Sequence, residues 1–362
     1  LTDPAAARDG RAMTKVALVA GAGGAASKRL IDVLRADPDW SGIALARSPR
    51  PYGGQVTPVS VDLLDRAACA RALASHRGIT HVFYTARAKH GESGVESVED
   101  NVAMLRNVLD AVEPVAPGLA HVHLVQGTKY YGMHLGPFHT PAREDDPRHP
   151  PPNFYYDQQD LLAERQRGQS WTWSASRPTF IYDFAPERAR NAVSVIGAYA
   201  AIVRELGGPL DFPGSAAAFD ALRDMTDATL LARAMTFIAT TPTCGNHAFN
   251  VVNGDFFRWR TLWPKIARHF EMAVGGVRPM KLSEWIKDKQ PVWDDIVRRY
   301  GLAESRLDDV ADWPFADFHW AHGYDICSSP EKLRRAGFPV ALDSEQAFLG
   351  YLLCYREAKI LP

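Results

Sequence analysis

The apolar residues of this chain come in short runs, each closed by glycine or polar residues and followed by a stretch of helical spacing. Residues 15–20 form the first run, ending at Gly21-Ala22-Gly23-Gly24, and Leu30, Ile31, Val33 and Leu34 then mark one face of a helix. Runs at 42–46, 56–61, 80–85, 121–125 and 171–177 predict five more strands, and the spacing over 95–112 predicts a helix between the fourth and fifth strands. Parallel strands need a long crossover and a helix supplies one, so the alternation implies a parallel sheet covered on both faces. Beyond residue 191 longer helical stretches dominate, with 210–213 and 248–252 reading as short strands among them. The expected fold is α/β: a Rossmann-type doubly wound sheet with a smaller, mostly helical C-terminal lobe.

Composition removes several function classes. Of 362 residues, 46% are hydrophobic and 23% charged, with a net charge of −1, which leaves no electrostatic case for nucleic acid or an anionic membrane as partner. No apolar run approaches the roughly 20 residues needed to cross a bilayer. Cys69, Cys244, Cys327 and Cys354 are scattered without a C-x-x-C pair, the usage of a reducing compartment, so a cytoplasmic location is expected. Residues 1–12 are polar and Ala-rich, without the apolar core of a secretory signal; Met13, just before the first strand, is a candidate start.

The turn Gly21-Ala22-Gly23-Gly24-Ala25-Ala26-Ser27 lies between the first strand and its helix, with Ser27 where a third glycine would fall. A tight turn of small residues lets a pyrophosphate approach the backbone at a helix N-terminus, where free N–H groups favour anions. Gly21, Gly24, Ala25 and Ala26 are thus candidate cofactor contacts. An acidic residue at the end of the second strand would read a ribose 2′-hydroxyl, but the sequence there is Leu45-Ala46-Arg47-Ser48. Arg47 and Ser48 suit a 2′-phosphate, which implies NADPH. Asp62 is placed to accept from the adenine amino group. Leu63, Thr85, Ala86, Gln126, Pro178 and Ile181, at or beyond predicted strand ends, complete the candidate cofactor set. The expected division is a tail (1–12), an NADPH-binding domain (13–190) and a substrate lobe (191–362) with segments returning to the sheet.

The later motifs identify a family. Gln126-Gly127-Thr128-Lys129-Tyr130-Tyr131, Gly136-Pro137-Phe138, Glu144-Asp145-Asp146-Pro147-Arg148 and Pro152-Asn153-Phe154-Tyr155-Tyr156-Asp157 follow one another along the chain. Trp171-Thr172-Trp173-Ser174 with Arg177-Pro178, 248–255 (AFNVVNGD) and Pro291-Val292-Trp293 come after them. From Val16 onward the chain resembles the progesterone 5β-reductase/iridoid synthase-like family of atypical extended short-chain dehydrogenases/reductases. That resemblance implies NADPH-dependent reduction of the C=C bond of enones and enals, with Tyr155 catalytic and Lys129 its partner, and a homodimer. Here the lysine precedes the tyrosine, unlike the usual Tyr-x-x-x-Lys of short-chain dehydrogenases.

The chemistry agrees with these roles. Hydride addition at the β-carbon of an enone drives negative charge onto the carbonyl oxygen, where a neutral phenol can donate and a nearby ammonium strengthens the field. Lys129 is also able to hold the nicotinamide ribose. The expected substrate is a small apolar carbonyl compound, with Phe138 and Phe348 as walls and His134 and Arg87 as further contacts. Plant members of the family carry K-H-Y-x-G-P-F, whereas here the loop to Gly136-Pro137-Phe138 is longer and includes His134. Ala86-Arg87 occupies the place of the family's T-W pair, and Arg87 would favour a more polar or anionic substrate unless it faces solvent.

Other readings compete with this one. The same Tyr and Lys serve a carbonyl reductase or alcohol dehydrogenase, and a regulatory NADPH-binding protein would need neither. Tyr355-Arg356-Glu357-Ala358-Lys359, the only Y-x-x-x-K, reads as a terminal helix. His319 and His322, near Asp317 and Asp325, have metal-ligand spacing on a helix, but the proposed reaction needs no metal and none is expected. His121 and His123 alternate on a strand and are expected to bond within the core. Six of nine tryptophans follow residue 250 and fit either an aromatic lid over a lipophilic substrate or the packing of a helical cap.

Overall fold

The computed structural model of the protein describes residues 15–88, 96–303 and 306–362. The sheet is built from β1 (Lys15–Ala20), β2 (Trp40–Ala46), β3 (Val56–Ser60), β4 (His81–Tyr84), β5 (His121–Val125) and β6 (Thr172–Pro178), and its seventh strand is His247–Val251. Helices α1 (Ala25–Ala36), α2 (Arg66–Leu73), α3 (Val98–Val112) and α4 (Phe154–Gln166) alternate with these strands. The spatial order is β3-β2-β1-β4-β5-β6 followed by His247–Val251, with parallel pairing from β3 through β6. The order reverses between β1 and β4, the switch point at whose carboxyl side doubly wound sheets bind ligands.

The expected strands appear with ends shifted by one or two residues, β2 starting at Trp40 because that ring packs edge-on to His81 at 4.8 Å. The run expected at 248–252 joins the sheet as His247–Val251, whereas Leu210–Phe212 pairs with Val274–Val277 in a separate two-stranded sheet. Residue 95 of the expected helix 95–112, and residues 1–12 with Met13, lie outside the described residues.

The chain folds as two compact units that interleave along the sequence. The first comprises residues up to 126 with 151–176 and 232–248; the second comprises 127–150, 177–231 and 249–362. In the first, side chains alternate across the sheet: Leu18, Val82, Val122 and Leu124 enter a core with Leu105, Leu109 and Leu73. The opposite positions of β4 and β5 carry His81, Phe83, His121 and His123. His121 bonds Thr172 Oγ1 at 2.8 Å and Ser174 Oγ at 2.6 Å, and His123 bonds Ser174 Oγ at 2.7 Å and Ser176 Oγ at 3.0 Å. The expected core bonding of this pair is what the strands provide.

The second unit forms around α5 (Ala192–Glu205), which is buried on nearly every side and is correspondingly apolar all round. Trp259, Trp263, Trp293, Trp313 and Trp320 are buried in this core, and Trp285 packs against it. Trp263 donates Nε1–H to the Leu210 carbonyl at 3.0 Å. Of the two readings of the tryptophans, core packing describes them; a hydrophobic lid would leave their rings at a surface. Among the described residues no helix is long and apolar enough to cross a membrane.

Candidate functional site

The glycine turn follows directly from β1. Gly21 sits at φ +90°, and a Cβ there would lie 2.6 Å from the Ala86 backbone, so only glycine fits both the conformation and the space. The N–H groups of Gly21 and Ala22 donate to the Leu45 carbonyl at 3.0 and 2.9 Å. Thr85 donates its hydroxyl to the carbonyls of Ala20 at 2.9 Å and Gly21 at 3.1 Å. Gly24 caps α1 with no side-chain bond, which leaves its first turn open to an anion, and nothing would contact a Cβ at Gly23 within 4 Å. Ser27 is buried and returns its hydroxyl to the Gly24 carbonyl at 3.0 Å. It holds the turn closed where a third glycine would otherwise lie. Tyr52, which the sequence did not single out, donates to the Ala22 carbonyl at 3.0 Å. It sits in a polar loop without periodicity, and no local signal marks it.

Arg47 and Ser48 are exposed at the carboxyl end of β2, and the Arg47 carbonyl takes the Ser60 hydroxyl at 2.8 Å. Asp62 is exposed and accepts the Leu64 N–H at 3.0 Å, and the cap of α2 is Asp65, which accepts from the Ala68 N–H. Leu63 is buried, and its carbonyl accepts from Asn107 Nδ2 at 2.9 Å. Ala86 and Arg87 follow β4, and Arg87 pairs with Glu96 at 3.7 Å.

Tyr155 is the second residue of α4, its N–H accepted by the capping Asn153 Oδ1 at 3.1 Å. Gln126 donates from Nε2 to the Tyr155 carbonyl at 3.1 Å and to Gln159 Oε1 at 3.3 Å, fixing this helix end to the end of β5. Gln158 donates to the Asn101 carbonyl at 2.8 Å, and Asn101 Oδ1 accepts the Ala88 N–H at 2.9 Å, so one asparagine ties α4 and α3 to the segment bearing Arg87. Sequence reasoning missed Asn101 because a polar residue inside an amphipathic helix reads as surface. Tyr155 is 8% exposed. Burial pushes its phenol up to about 12, with Arg87 opposing and Glu96 adding to the shift.

All these residues belong to the first unit; Lys129, His134, Phe138, Pro178, Ile181 and Phe348 belong to the second. Lys129 is half-buried in a 3₁₀ turn, Thr128–Tyr131. That turn is fastened at each side of the lysine. Thr128 donates to the Pro178 carbonyl at 3.2 Å, the Arg177 guanidinium lies 3.3 Å from the Tyr130 ring centroid, and Tyr131 donates to Asn250 Oδ1 at 2.6 Å. Arg177 also donates to Tyr131 Oη at 3.0 Å and to the Glu144 carbonyl at 3.1 Å. Phe138 stacks on Tyr131 at 6.5 Å with rings 6° from parallel, and the exposed His134 meets His149 edge-on at 5.5 Å. Ile181 pairs with Thr226. Phe348 is fully buried, edge-on to Tyr182 at 5.7 Å and to Trp259 at 6.3 Å, among the residues of the aromatic core.

Tyr355 lies in the helix Ser344–Glu357 and accepts the Ala185 N–H at 3.0 Å, a packing role. His319 shares a 2.9 Å bond with Tyr182 Oη. Among the described residues no three His, Cys, Asp or Glu side chains group as metal ligands.

A strand-glycine turn-helix at the switch point of a parallel sheet, with a buried phenol on a later helix, defines a Rossmann short-chain dehydrogenase/reductase architecture. Residues 61–326 match the PRISE-like Rossmann-fold domain. The chain is 35% identical to the (S)-8-oxocitronellyl enol synthase ISY1 of Nepeta racemosa over 96% of its length and 93% of the relative's. It is also 35% identical to the 3-oxo-Δ(4,5)-steroid 5β-reductase of Arabidopsis thaliana, with the same coverage. The solved Bordetella bronchiseptica enzyme WbmG in complex with NAD superposes with a TM-score of 0.68 at 16% identity, covering 97% of each chain, a likeness of fold. The chain belongs to the PRISE-like Rossmann-fold family and is an oxidoreductase.

Proposed function

We propose that the protein uses NADPH to reduce the C=C bond of enones or enals by 1,4-addition, with Tyr155 donating to the carbonyl oxygen and Lys129 as its electrostatic partner. The observation that carries this reading is the burial of Tyr155 in the first turn of α4, in the unit that holds the glycine turn. Burial raises its phenol to about 12, so it keeps the protonated state that an ordinary phenol also has in the neutral range. A neutral donor fixed before reaction stabilises an oxygen that gains charge, without the cost of reorienting water. The name of the Arabidopsis relative describes reduction of a 3-oxo-Δ(4,5)-steroid, an enone, and so supports the same chemistry.

The residues present fit the cofactor. Gly21 leaves room for backbone approach, and the uncapped first turn of α1, with Ala25 and Ala26, suits a pyrophosphate. Arg47 and Ser48 would take the 2′-phosphate, Asp62 and Leu63 would flank the adenine, and Thr85, Ala86, Gln126, Pro178 and Ile181 would line the remainder. NADPH, when bound, supplies the hydride. Tyr155 holds the carbonyl oxygen through its hydroxyl, Lys129 lends positive charge and a ribose contact, and solvent protonates the α-carbon.

The test is NADPH oxidation with 2-cyclohexen-1-one and a steroid enone, followed by product analysis. A saturated ketone is expected. An allylic alcohol would make the protein a carbonyl reductase, and NADPH binding without turnover on any enone or enal would make it a regulatory binder.

A further inference from the structure

The loop between β2 and β3 is stiff in its middle and held at both ends. In Ser48-Pro49-Arg50-Pro51 each proline fixes its own φ and keeps the residue before it extended. At the near end the Ser60 hydroxyl donates to the Arg47 carbonyl at 2.8 Å. At the far end the half-buried Tyr52 donates to the Ala22 carbonyl at 3.0 Å, in the glycine turn. Gly53 and Gly54, left-handed at φ +71° and +62°, reverse the chain directly after it. Every residue of this arrangement belongs to the first unit.

The Tyr52 bond also orients one peptide of the turn. The Ala22 N–H goes to the Leu45 carbonyl at 2.9 Å and the Ala22 carbonyl goes to Tyr52, so both sides of Ala22 are fixed. In a planar trans peptide the C=O and the following N–H point in opposite directions, so the Gly23 N–H is turned away from Tyr52. Gly23 is exposed, and its N–H has no hydrogen-bond partner among the described residues. Burial raises the Tyr52 phenol against the opposing charge and N–H of Arg50, so the hydroxyl keeps the proton it donates.

We propose that Tyr52 is a positioning residue for the cofactor: it sets the spacing between the turn that takes the pyrophosphate and the loop that takes the 2′-phosphate. The inference rests on the NADPH reading above. Both phosphate groups hang from one ribose, so the ligand dictates their separation. A site that binds both gains affinity when its two anion-binding segments already stand at that separation. The free Gly23 N–H serves the pyrophosphate of either nicotinamide cofactor, whereas the tether to Arg47 and Ser48 matters only to the one with a 2′-phosphate.

The experiment titrates NADPH and NADH by fluorescence into wild type, Tyr52→Phe, Arg47→Met and the double variant. Melting temperatures and steady-state kinetics on 2-cyclohexen-1-one accompany it. Loss of one neutral hydrogen bond corresponds to about two- to tenfold. Tyr52→Phe should weaken NADPH by that factor and NADH by less, so the preference between them contracts. KM for NADPH should rise in step, while kcat at saturating NADPH is kept. In the Arg47→Met background the extra loss for NADPH should vanish, because the two residues act as one unit. A purely structural role would lower the melting temperature and leave both affinities of the folded protein unchanged, which overturns the proposal. Equal loss for both cofactors, or additive effects of the two substitutions, also overturns it. Should Tyr52→Phe fail to fold, replacing Pro49 and Pro51 with glycine loosens the loop and keeps the bond; that variant should contract the preference too, and an unchanged preference there overturns the proposal. Equal binding of NADPH and NADH by wild type would reject the 2′-phosphate reading and this proposal with it. A wild-type preference for NADPH that survives intact in Tyr52→Phe rejects the positioning role alone.

Discussion

At the scale of single residues, three side chains divide the proposed chemistry. Tyr155→Phe keeps the ring and removes the donor, so turnover should fall by ~10²–10³-fold while NADPH affinity, read by fluorescence titration, is kept. Lys129→Met should slow turnover and also weaken NADPH, because its ammonium is assigned both the field at the carbonyl and a ribose contact. Full activity of Tyr155→Phe on an activated enal would remove the phenol from the mechanism. Arg47 is exposed at the end of β2, where a carboxylate would select NADH. Arg47→Asp should therefore weaken NADPH about ten- to a hundredfold and leave NADH nearly unchanged. Equal affinity of the wild type for both cofactors would contradict that assignment.

At the scale of elements, the turn after β1 and the paired strands β4 and β5 each make a distinct prediction. Gly21→Ala places a methyl group 2.6 Å from the Ala86 backbone in a left-handed conformation, and backbone cannot swing aside as a side chain can. Overpacking of this kind costs about 1–3 kcal/mol, so the melting temperature should drop and NADPH binding should be lost with it. The histidines on β4 and β5 give the protein an acid limit. Burial holds His81 at about 4 and His123 at about 3, and it holds His121 well below the usual range. Unfolded, each would take up a proton near pH 6.5, so the unfolded chain binds more protons below that pH. Their stabilisation is complete above pH 6.5 and is lost as pH falls toward 4, at up to about 1.4 kcal/mol per pH unit for each group. Urea midpoints should decline from pH 7 to pH 5, and His123→Gln should flatten that decline. A midpoint independent of pH over this range would contradict the neutral ladder.

At the scale of the molecule, two hydrophobic cores account for the units, and they differ in character. The first is mostly aliphatic, set between the sheet and its helices; the second gathers many more aromatic rings among the aliphatic side chains around α5. Phe348 joins the second through Tyr182 and Trp259. Phe348→Ala should therefore cost about 3–5 kcal/mol of stability, seen in chemical unfolding. A variant with unchanged stability and a raised KM would instead restore Phe348 to the substrate wall.

The sequence alone determined what depends on local pattern. Short apolar runs and the glycines between β1 and α1 made the sheet and the turn legible, because each is decided within a few residues. The motifs around Lys129 and Tyr155 were equally legible as types and spacings. Tertiary structure decided what depends on residues distant along the chain. It made His247–Val251 a strand of the main sheet, since pairing with a central sheet outweighs a helical neighbourhood. It turned the tryptophans and Phe348 into core, since hydrophobicity does not say whether a ring faces a ligand or another ring.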